Sequence, residues 1–200
     1  MARLIHLGRV GYRESWARQE QELHAVIEGA ENAVVFCEHD PVFTLGRRRG
    51  AAANVIDAGD TPVIEVERGG DVTWHGPGQL VCYPIVRLDE GARDLHAHLH
   101  RLEDAVIDVC RDLGVVAGRD TRNTGVWLGG RKVCSIGIAV RRWVTWHGLA
   151  LNCDPDLSAF QRINPCGFDP SIMSSLTREL QRPVQVADVE PLLAARMADW

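Results

Sequence analysis

Lysine is almost absent from this chain of 200 residues, in which Lys132 is the single lysine among 22 lysine and arginine residues. A codon bias toward arginine accounts for the general trend. Arginine cannot lose its proton in a protein, whereas lysine can, so a position that keeps lysine is a candidate for an amine with acid–base chemistry. Composition alone leaves Lys132 open between that role and an ordinary one.

Long hydrophobic runs are also missing. No apolar segment approaches the ~20 residues of a membrane-spanning helix, and the N-terminal residues lack the apolar block of a signal peptide. We therefore expect a cytoplasmic protein that does not bind membranes. The net charge of −5 gives the chain no overall attraction to nucleic acid, so a nucleic-acid partner is not expected.

Metal-binding spacings are missing as well. None of the six cysteines belongs to a CxxC pair, and no cluster of cysteine and histidine has zinc-ligand spacing. His96, His98 and His100 fall on one predicted helix, but no carboxylate or cysteine near them completes a metal site. We expect a solvated face there, no bound metal, and free thiols in a reducing compartment.

The hydrophobic pattern predicts a single α+β domain over residues 1–200, because strands in hairpin-like succession alternate with a few helices. The sheet is expected to be mixed and largely antiparallel, with helices packed on it. Predicted helices are 12–28, 94–113 and 188–198, and predicted strands are 33–37, 42–45, 63–66, 80–86, 125–128, 133–140 and 144–151. Gly129-Gly130 predicts a tight hairpin turn.

A glycine-rich segment at 68–80 is the first candidate for a site. It holds four glycines, a proline and His75 between two predicted strands. Glycine lets a ligand approach the main chain closely, so the segment is either a tight structural turn or the wall of a pocket with Arg68 or His75 as polar contacts. Its glycine spacing does not match a phosphate-binding loop.

Two further candidates carry nucleophile and base chemistry. Cys166 lies in a predicted loop between a proline and a glycine, whereas the other five cysteines fall in or beside strand and helix patterns. A loop gives a thiol access to substrate, so Cys166 is a candidate nucleophile. Lys132 lies where the Gly129-Gly130 turn enters an apolar strand, and an inward orientation there would lower the pKa of its amine.

Four strings together give the chain a specific resemblance. These are RGGDVTWHGPGQLVCYPIV at 68–86, GRKVCSIGIAV at 130–140, WHGLALN at 146–152 and INPCG at 163–167. In this order they resemble the lipoyl(octanoyl) transferases, and the similarity runs from about residue 5 to 180.

The resemblance implies a fold shared with lipoate and biotin protein ligases, with Cys166 as the acyl-thioester nucleophile and Lys132 as its acid–base partner. It also implies a substrate-binding set: Arg68, Gly69, Gly70, Asp71, Val72, Thr73, Trp74, His75, Ser135, Ile136, Gly137, Gly148, Leu149 and Ala150. Octanoyl or lipoyl groups would arrive on the phosphopantetheine of acyl carrier protein. They would pass to lysines of lipoyl domains in 2-oxoacid dehydrogenase complexes and of the glycine cleavage H protein, without ATP or metal.

Three questions stay open at this stage. Cys134, between Lys132 and Ser135, is a possible second thiol near the site. Arg47-Arg48-Arg49 are either solvated charges or a docking patch for an acidic carrier protein. Rival functions are an ATP-dependent lipoate or biotin ligase, a non-catalytic module that binds lipoyl domains or acyl chains, and a thioesterase.

Overall fold

The computed structural model describes residues 1–164 and 169–200. Its strands are β1 Arg3–Val10, β2 Ala33–His39, β3 Val42–Leu45, β4 Val63–Glu65, β5 Val72–His75, β6 Gln79–Ile85, β7 Gly125–Leu128, β8 Arg131–Arg141 and β9 Val144–Asn152. Its α-helices are α1 Tyr12–Ile27, α2 Leu95–Asp112, α3 Leu176–Leu180 and α4 Val186–Met197, with short 3₁₀ turns between elements. All predicted strands and helices are present with small shifts of their ends.

The larger sheet has six strands in the order β1-β2-β6-β9-β8-β7. Only β1 and β2 pair in parallel, and the other neighbours are antiparallel. In β2, Val34 and Phe36 point into the core shared with α2 and α4, while Val35 and Cys37 point into the core shared with α1. This period of two places helices on both faces of the sheet.

The two long predicted helices form for the predicted reasons. In α2, Leu102, Val106 and Val109 have no exposed surface, and the side chain of Asp94 caps the helix by accepting from the backbone N–H groups of its first turn. The predicted solvated face is wrong for His98. It is 5% exposed and packs edge-on against Trp200, and burial lowers its pKa to about 4.

A second, smaller sheet has the order β4-β3-β5. Its strand β5 lies inside the glycine-rich segment, for which the sequence predicted no strand, and β1 was not predicted. Both were missed because they lack a clear apolar run: β5 is four residues long, and β1 is an edge strand whose side chains are mostly solvent-accessible. The α+β class is confirmed, with two sheets where one mixed sheet was expected.

The Gly129-Gly130 hairpin is confirmed. The two glycines have φ values of 54° and 81°, the left-handed conformations of a type I′ turn. This turn joins β7 to β8 and sets the start of the strand that carries Lys132. No helix in the described ranges is both long and apolar enough to cross a membrane.

Candidate active site

A cavity lies on the α1 side of the larger sheet, between β8 and β9, the glycine-rich segment and the chain around Met173. The empty space between its walls is about 730 Å³, including the open mouth. Its lining residues are Tyr12, Arg68, Gly70–Thr73, His75, Tyr83, Asn123, Lys132, Ser135–Gly137, His147–Ala150, Ile172 and Met173. Two sheets and a loop from distant parts of the sequence therefore share one site.

Two glycines let backbone serve as part of the cavity wall. Gly137 of β8 pairs with Gly148 of β9. A Cβ on Gly148 would lie 2.2 Å from the carbonyl oxygen of Cys82, and one on Gly137 would lie 2.9 Å from the carbonyl oxygen of Gly69. Any side chain here would collide with a neighbouring strand or with the glycine-rich segment, whose Gly69 N–H donates to the Ile138 carbonyl at 2.8 Å.

A β-bulge aims Lys132 into this cavity. Val126 pairs with Cys134 and Trp127 pairs with Lys132, so Val133 is an extra residue in β8. Val133 and Cys134 consequently both pack into the core under α2. The bulge reverses the alternation of the strand and turns Lys132 to the side of Ser135, a use of bulges that is common beside active sites.

The Lys132 amine is almost removed from solvent. The residue is 6% exposed, and its Nζ donates to the Thr124 carbonyl oxygen at 2.7 Å. The same nitrogen lies 5.5 Å from the centre of the Trp127 ring. Gly125 leaves the space for it, since a Cβ there would lie 2.5 Å from Cε and 3.1 Å from Nζ of the lysine.

A chain of buried hydrogen bonds starts at Arg68, which is 8% exposed. Its Nη2 donates to the hydroxyl of Thr44 at 2.9 Å, and that hydroxyl lies 3.4 Å from Nε2 of His75. Nδ1 of His75 donates to Oε1 of Gln79 at 2.7 Å. Burial, with the neighbouring His39 ring, lowers the pKa of His75 to about 3, so this imidazole is neutral and can accept from Thr44 while it donates to Gln79.

The chain continues to the backbone at Lys132. The Gln79 amide donates to Oδ1 of Asn152 at 2.8 Å, and the Asn152 amide donates to the Ser174 carbonyl at 2.9 Å. The Ser174 N–H in turn donates to the Lys132 carbonyl at 2.9 Å. Buried polar groups linked in this way fix the segment after Met173 against the strand that carries the lysine.

Three rings of the cavity wall, those of Tyr12, Tyr83 and His147, are joined by the ring of His39, which packs against the two tyrosines. Nδ1 of His39 faces the Val10 carbonyl at 3.0 Å and therefore carries the proton, which leaves Nε2 to accept from the Tyr83 hydroxyl at 2.8 Å. Burial raises the pKa of Tyr12 to about 12, so its phenol stays neutral. The fourth ring, His147, is 1% exposed, and burial lowers its pKa to about 3.

Cys134 does not line the cavity, so it is not a second thiol of the site. Its side chain has no exposed surface, packs on the opposite face of the sheet, and burial raises the pKa of the thiol. The other four described cysteines, Cys37, Cys82, Cys110 and Cys153, are also buried, with pKa values raised by the same cause. Cys166 lies outside the described residues.

All but two of the predicted substrate-binding residues line the cavity. Gly69 supports the wall through its backbone, and the Trp74 ring packs against Phe160, 5.6 Å between centroids, away from the cavity. Sequence reasoning missed Tyr12, Tyr83, Asn123, His147, Ile172 and Met173. Tyr83 and His147 stood inside strings already singled out, whereas nothing in the sequence distinguishes Tyr12 from a core residue of α1.

Comparison with known proteins identifies the family to which the chain belongs. Residues 11–198 match the family described as Lipoyl protein ligase A/B catalytic domain. The octanoyltransferase of Acidothermus cellulolyticus is 48% identical over 202 residues, which cover 98% of this chain and 90% of that protein. The octanoyltransferase of Geobacter sp. (strain M21) is 47% identical, over 95% and 92% of the two chains. The chain belongs to the octanoyltransferase family.

The octanoyltransferase resemblance inferred from the four strings is thereby confirmed, and the chain is an acyltransferase that transfers an octanoyl group. Its fold is that of the related ligases. A crystal structure of lipoate-protein ligase A bound with ATP matches with a TM-score of 0.84 at 18% identity, over 99% of this chain and 84% of that one. Biotin protein ligase from Aquifex aeolicus, in complex with biotin and ATP, matches at 0.62 and 12%, over 100% and 70%. At these identities the likeness shows the fold alone.

The arginines at 47–49 border the octanoyltransferase cavity from outside. All three are exposed, and backbone N–H groups of Arg47 and Arg48 donate to carbonyls of Arg68 and Gly70. Arg48 also lies 3.3 Å from the buried carboxylate of Asp71, which is a cavity residue. Within residues 1–164 and 169–200, no three His, Cys, Asp or Glu side chains are grouped as a metal site.

Proposed function

We propose that this octanoyltransferase takes its acyl group from the phosphopantetheine of acyl carrier protein and carries it on Cys166 as a thioester. It then passes the group to a lysine of a lipoyl domain, with Lys132 as the acid–base group. The observation that carries the proposal is the single lysine of the chain, 6% exposed and turned by a bulge into the cavity. A lysine amine, unlike an arginine guanidinium, can lose its proton in a protein.

The first step exchanges one thioester for another. Lys132 accepts the proton of the Cys166 thiol, and the thiolate attacks the thioester carbonyl. A carbon–sulfur bond to Cys166 forms, the bond to phosphopantetheine breaks, and the proton passes to the leaving thiol. The second step forms an amide: the amine of the target lysine attacks, Lys132 accepts its proton, and the Cys166 sulfur leaves.

The energetics of these steps need no activation by a nucleotide. Exchange between two thioesters is close to neutral, and conversion of a thioester to an amide is downhill. The proposed reaction therefore uses neither ATP nor a metal ion. This separates it from adenylate-forming ligases, which share the fold and must activate a free acid.

The assignment of the nucleophile is supported from two sides. The five described cysteines are buried, with pKa values raised by burial, so none offers a thiolate at neutral pH. The segment after Cys166 also reaches the lysine, since Met173 forms a parallel bridge with Lys132 and lines the cavity together with Ile172. A short stretch of chain thus separates Cys166 from the Lys132 side of the cavity.

The acyl chain is proposed to lie along the floor formed by Gly137, Gly148 and Ala150. All three line the cavity, and none of them carries a side chain larger than a methyl group. Each methylene buried there contributes ~0.8 kcal/mol, so a closed end of the cavity can discriminate chain length.

The proposed macromolecular substrates are octanoyl-acyl carrier protein and the lipoyl domains of 2-oxoacid dehydrogenase complexes and the glycine cleavage H protein. Because a catalytic thiol needs reducing surroundings, we place the reaction in the cytoplasm. The exposed arginines at 47–49 offer the acidic carrier a docking patch beside the cavity. Docking of this kind is expected to raise the KM for the carrier as ionic strength increases, and a KM insensitive to salt would remove it.

The deciding experiment mixes the protein with octanoyl-acyl carrier protein and a lipoyl domain, without ATP, and follows both proteins by intact mass spectrometry. We expect an octanoyl adduct on the enzyme, followed by transfer to the domain. Transfer only from free octanoate with ATP would establish a ligase instead. Release of octanoate with the domain left unmodified would indicate a thioesterase, and absence of any adduct would indicate a binding module.

Gly125 provides a sharp test of the space reserved for Lys132. Gly125→Ala places a Cβ 2.5 Å from the lysine Cε and 2.3 Å from the Cys134 carbonyl, at a φ of 139° that disfavours any side chain. Because the amine must move, we expect the rate of octanoyl transfer to fall roughly 100-fold, as small misplacements of catalytic groups do.

Gly118→Ala is the matched control, since its Cβ would meet nothing within 4 Å and its backbone is not left-handed. Transfer rates are compared alongside thermal unfolding, so that lost stability is separated from lost chemistry. An unchanged rate in folded Gly125→Ala would refute the need for this position of the amine.

A further inference from the structure

A buried carboxylate outside the cavity is bound to the peptide that holds the Lys132 amine. Glu103 lies in α2, whose apolar side chains belong to the core on the other face of the sheet from α1. The residue is 3% exposed, and its Oε1 accepts from the backbone N–H of Gly125 at 2.9 Å. The proposed reaction steps give this carboxylate no role.

The N–H of Gly125 and the carbonyl of Thr124 belong to one peptide unit. A trans peptide is planar, so its N–H and its C=O point in opposite directions. Glu103 therefore binds one side of this unit, while Nζ of Lys132 donates to the Thr124 oxygen on the other side at 2.7 Å. A single rigid plane of atoms thus links the carboxylate to the amine.

Hydrogen bonds are important for the orientation of this peptide because Gly125 restricts it little. Gly125 has no side chain, and its φ of 139° belongs to a region that glycine alone adopts readily. A carboxylate forms a stronger hydrogen bond to a backbone N–H than a neutral acceptor does. Buried hydrogen bonds in series also polarise one another, so the charge of Glu103 makes the Thr124 oxygen a better acceptor for the amine.

The charge of Glu103 is compensated by a residue that does not line the cavity. Its Oε2 accepts from Nε of Arg119 at 2.7 Å. The Arg119 side chain is partly exposed and also donates to the carboxylate of Asp104 at 2.6 Å. A buried charge needs such a partner, and this one leaves Oε1 of Glu103 directed to Gly125.

We infer that Glu103 is a positioning residue for acyl transfer, which fixes the 124–125 peptide so that the Thr124 carbonyl holds the Lys132 amine in one orientation. An amine that has lost its proton keeps two N–H bonds, so it still donates to this carbonyl while its lone pair points elsewhere. Proton transfer requires a lone pair held in a defined direction. The inference rests on the proposed function, because it takes Lys132 as the acid–base group.

Glu103→Ala is expected to lower kcat for octanoyl transfer about tenfold or more, the effect of one lost hydrogen bond to a charged group. KM is expected to stay nearly unchanged, because Glu103 does not line the cavity. Asp104→Ala is the matched control, since Asp104 is an exposed second partner of Arg119. It is expected to keep kcat within about twofold of the native value. Equal losses of kcat in the two variants would overturn the inference.

A conservative replacement separates positioning from a general loss of stability. Glu103→Gln keeps an oxygen that can accept from Gly125, and Arg119→Gln in the same chain removes the guanidinium that would compete for that oxygen. We expect this double variant to transfer octanoyl faster than Glu103→Ala, and a rate no faster would overturn the inference. If Glu103→Ala does not fold, Glu103→Asp takes its place, because it keeps the charge and withdraws the carboxylate from Gly125 by one methylene.

Lys132 also provides a measurement that does not depend on activity, because it is the only lysine of the chain. Lysine labelled with ¹⁵N at Nζ therefore gives one side-chain NMR signal. We expect this signal to shift in Glu103→Ala, to return toward its native position in the double variant, and to stay in place in Asp104→Ala.

An unmoved signal in folded Glu103→Ala would overturn the positioning role and leave the proposed function standing. A shifted signal with an unchanged kcat would also overturn it. If the native enzyme transfers no octanoyl group from the carrier protein, the proposed function fails, and the signal in Glu103→Ala still decides whether Glu103 positions the amine.

Discussion

Cys166→Ser is expected to abolish the octanoyl adduct and to lower transfer to the lipoyl domain roughly 10³-fold or more, as removal of a catalytic nucleophile does. A serine hydroxyl is nearly the same size as the thiol but does not ionise near neutral pH, so the substitution removes the thiolate and little else. Intact mass spectrometry after addition of octanoyl-acyl carrier protein measures the adduct, and a coupled assay of the modified domain measures transfer.

Cys134→Ser is the appropriate control for that experiment. Its sulfur is buried in the core under α2, so a polar replacement is expected to lower the melting temperature while the adduct remains. A stoichiometric adduct on folded Cys166→Ser, at any residue, would end the assignment of Cys166.

Lys132→Arg is expected to lower the rate constant for octanoyl transfer by about 10²–10⁴-fold, the usual contribution of a general acid–base group. The substitution preserves the positive charge and removes the amine that can lose a proton. The larger guanidinium also enters the narrow space beside Gly125, so a second variant must separate size from chemistry. Lys132→Ala serves this purpose because it leaves the space open.

Chemical rescue distinguishes the two effects. A small tertiary amine can take up a proton but forms no stable amide, so it is expected to restore part of the activity of Lys132→Ala without consuming the acyl group. Arg111→Ala is the control: its exposed ion pair with Asp108 on α2 contributes little, and the variant is expected to transfer octanoyl near the native rate and to show no rescue. Turnover of Lys132→Arg within about threefold of the native enzyme would refute the acid–base role.

Local pattern was sufficient for much of the fold. The side chains of β2 alternate between the two cores, and the apolar residues of α2 recur at helical spacing. Such periodicity predicts the type of each element without knowledge of the elements that pack against it. Pattern failed at β5, where four residues pair with β3 inside a glycine-rich segment. It failed also at His98, whose burial depends on the distant Trp200.

The residues of the site divide in the same way. The strings that carry the family resemblance predicted the site residues in the glycine-rich segment and in the paired strands β8 and β9. Most of these residues line the cavity. Trp74 stood in the same segment but points to the other core, because alternation within β5 sends neighbouring side chains to opposite faces. Tyr12 and Met173 enter the cavity from elements far away in sequence, which no local pattern could reveal.

The amino-acid sequence by itself determined the family and the α+β class, and it singled out Lys132 as the one lysine of the chain. These properties depend on residue identity and short-range periodicity. Tertiary structure alone decided which way that amine points, because one extra residue in β8 reverses the side-chain alternation and the register with β7 is set by pairing. It also decided which residues meet at the cavity, since Tyr12 of α1, Tyr83 of β6 and His147 of β9 come together only when these elements pack against one another.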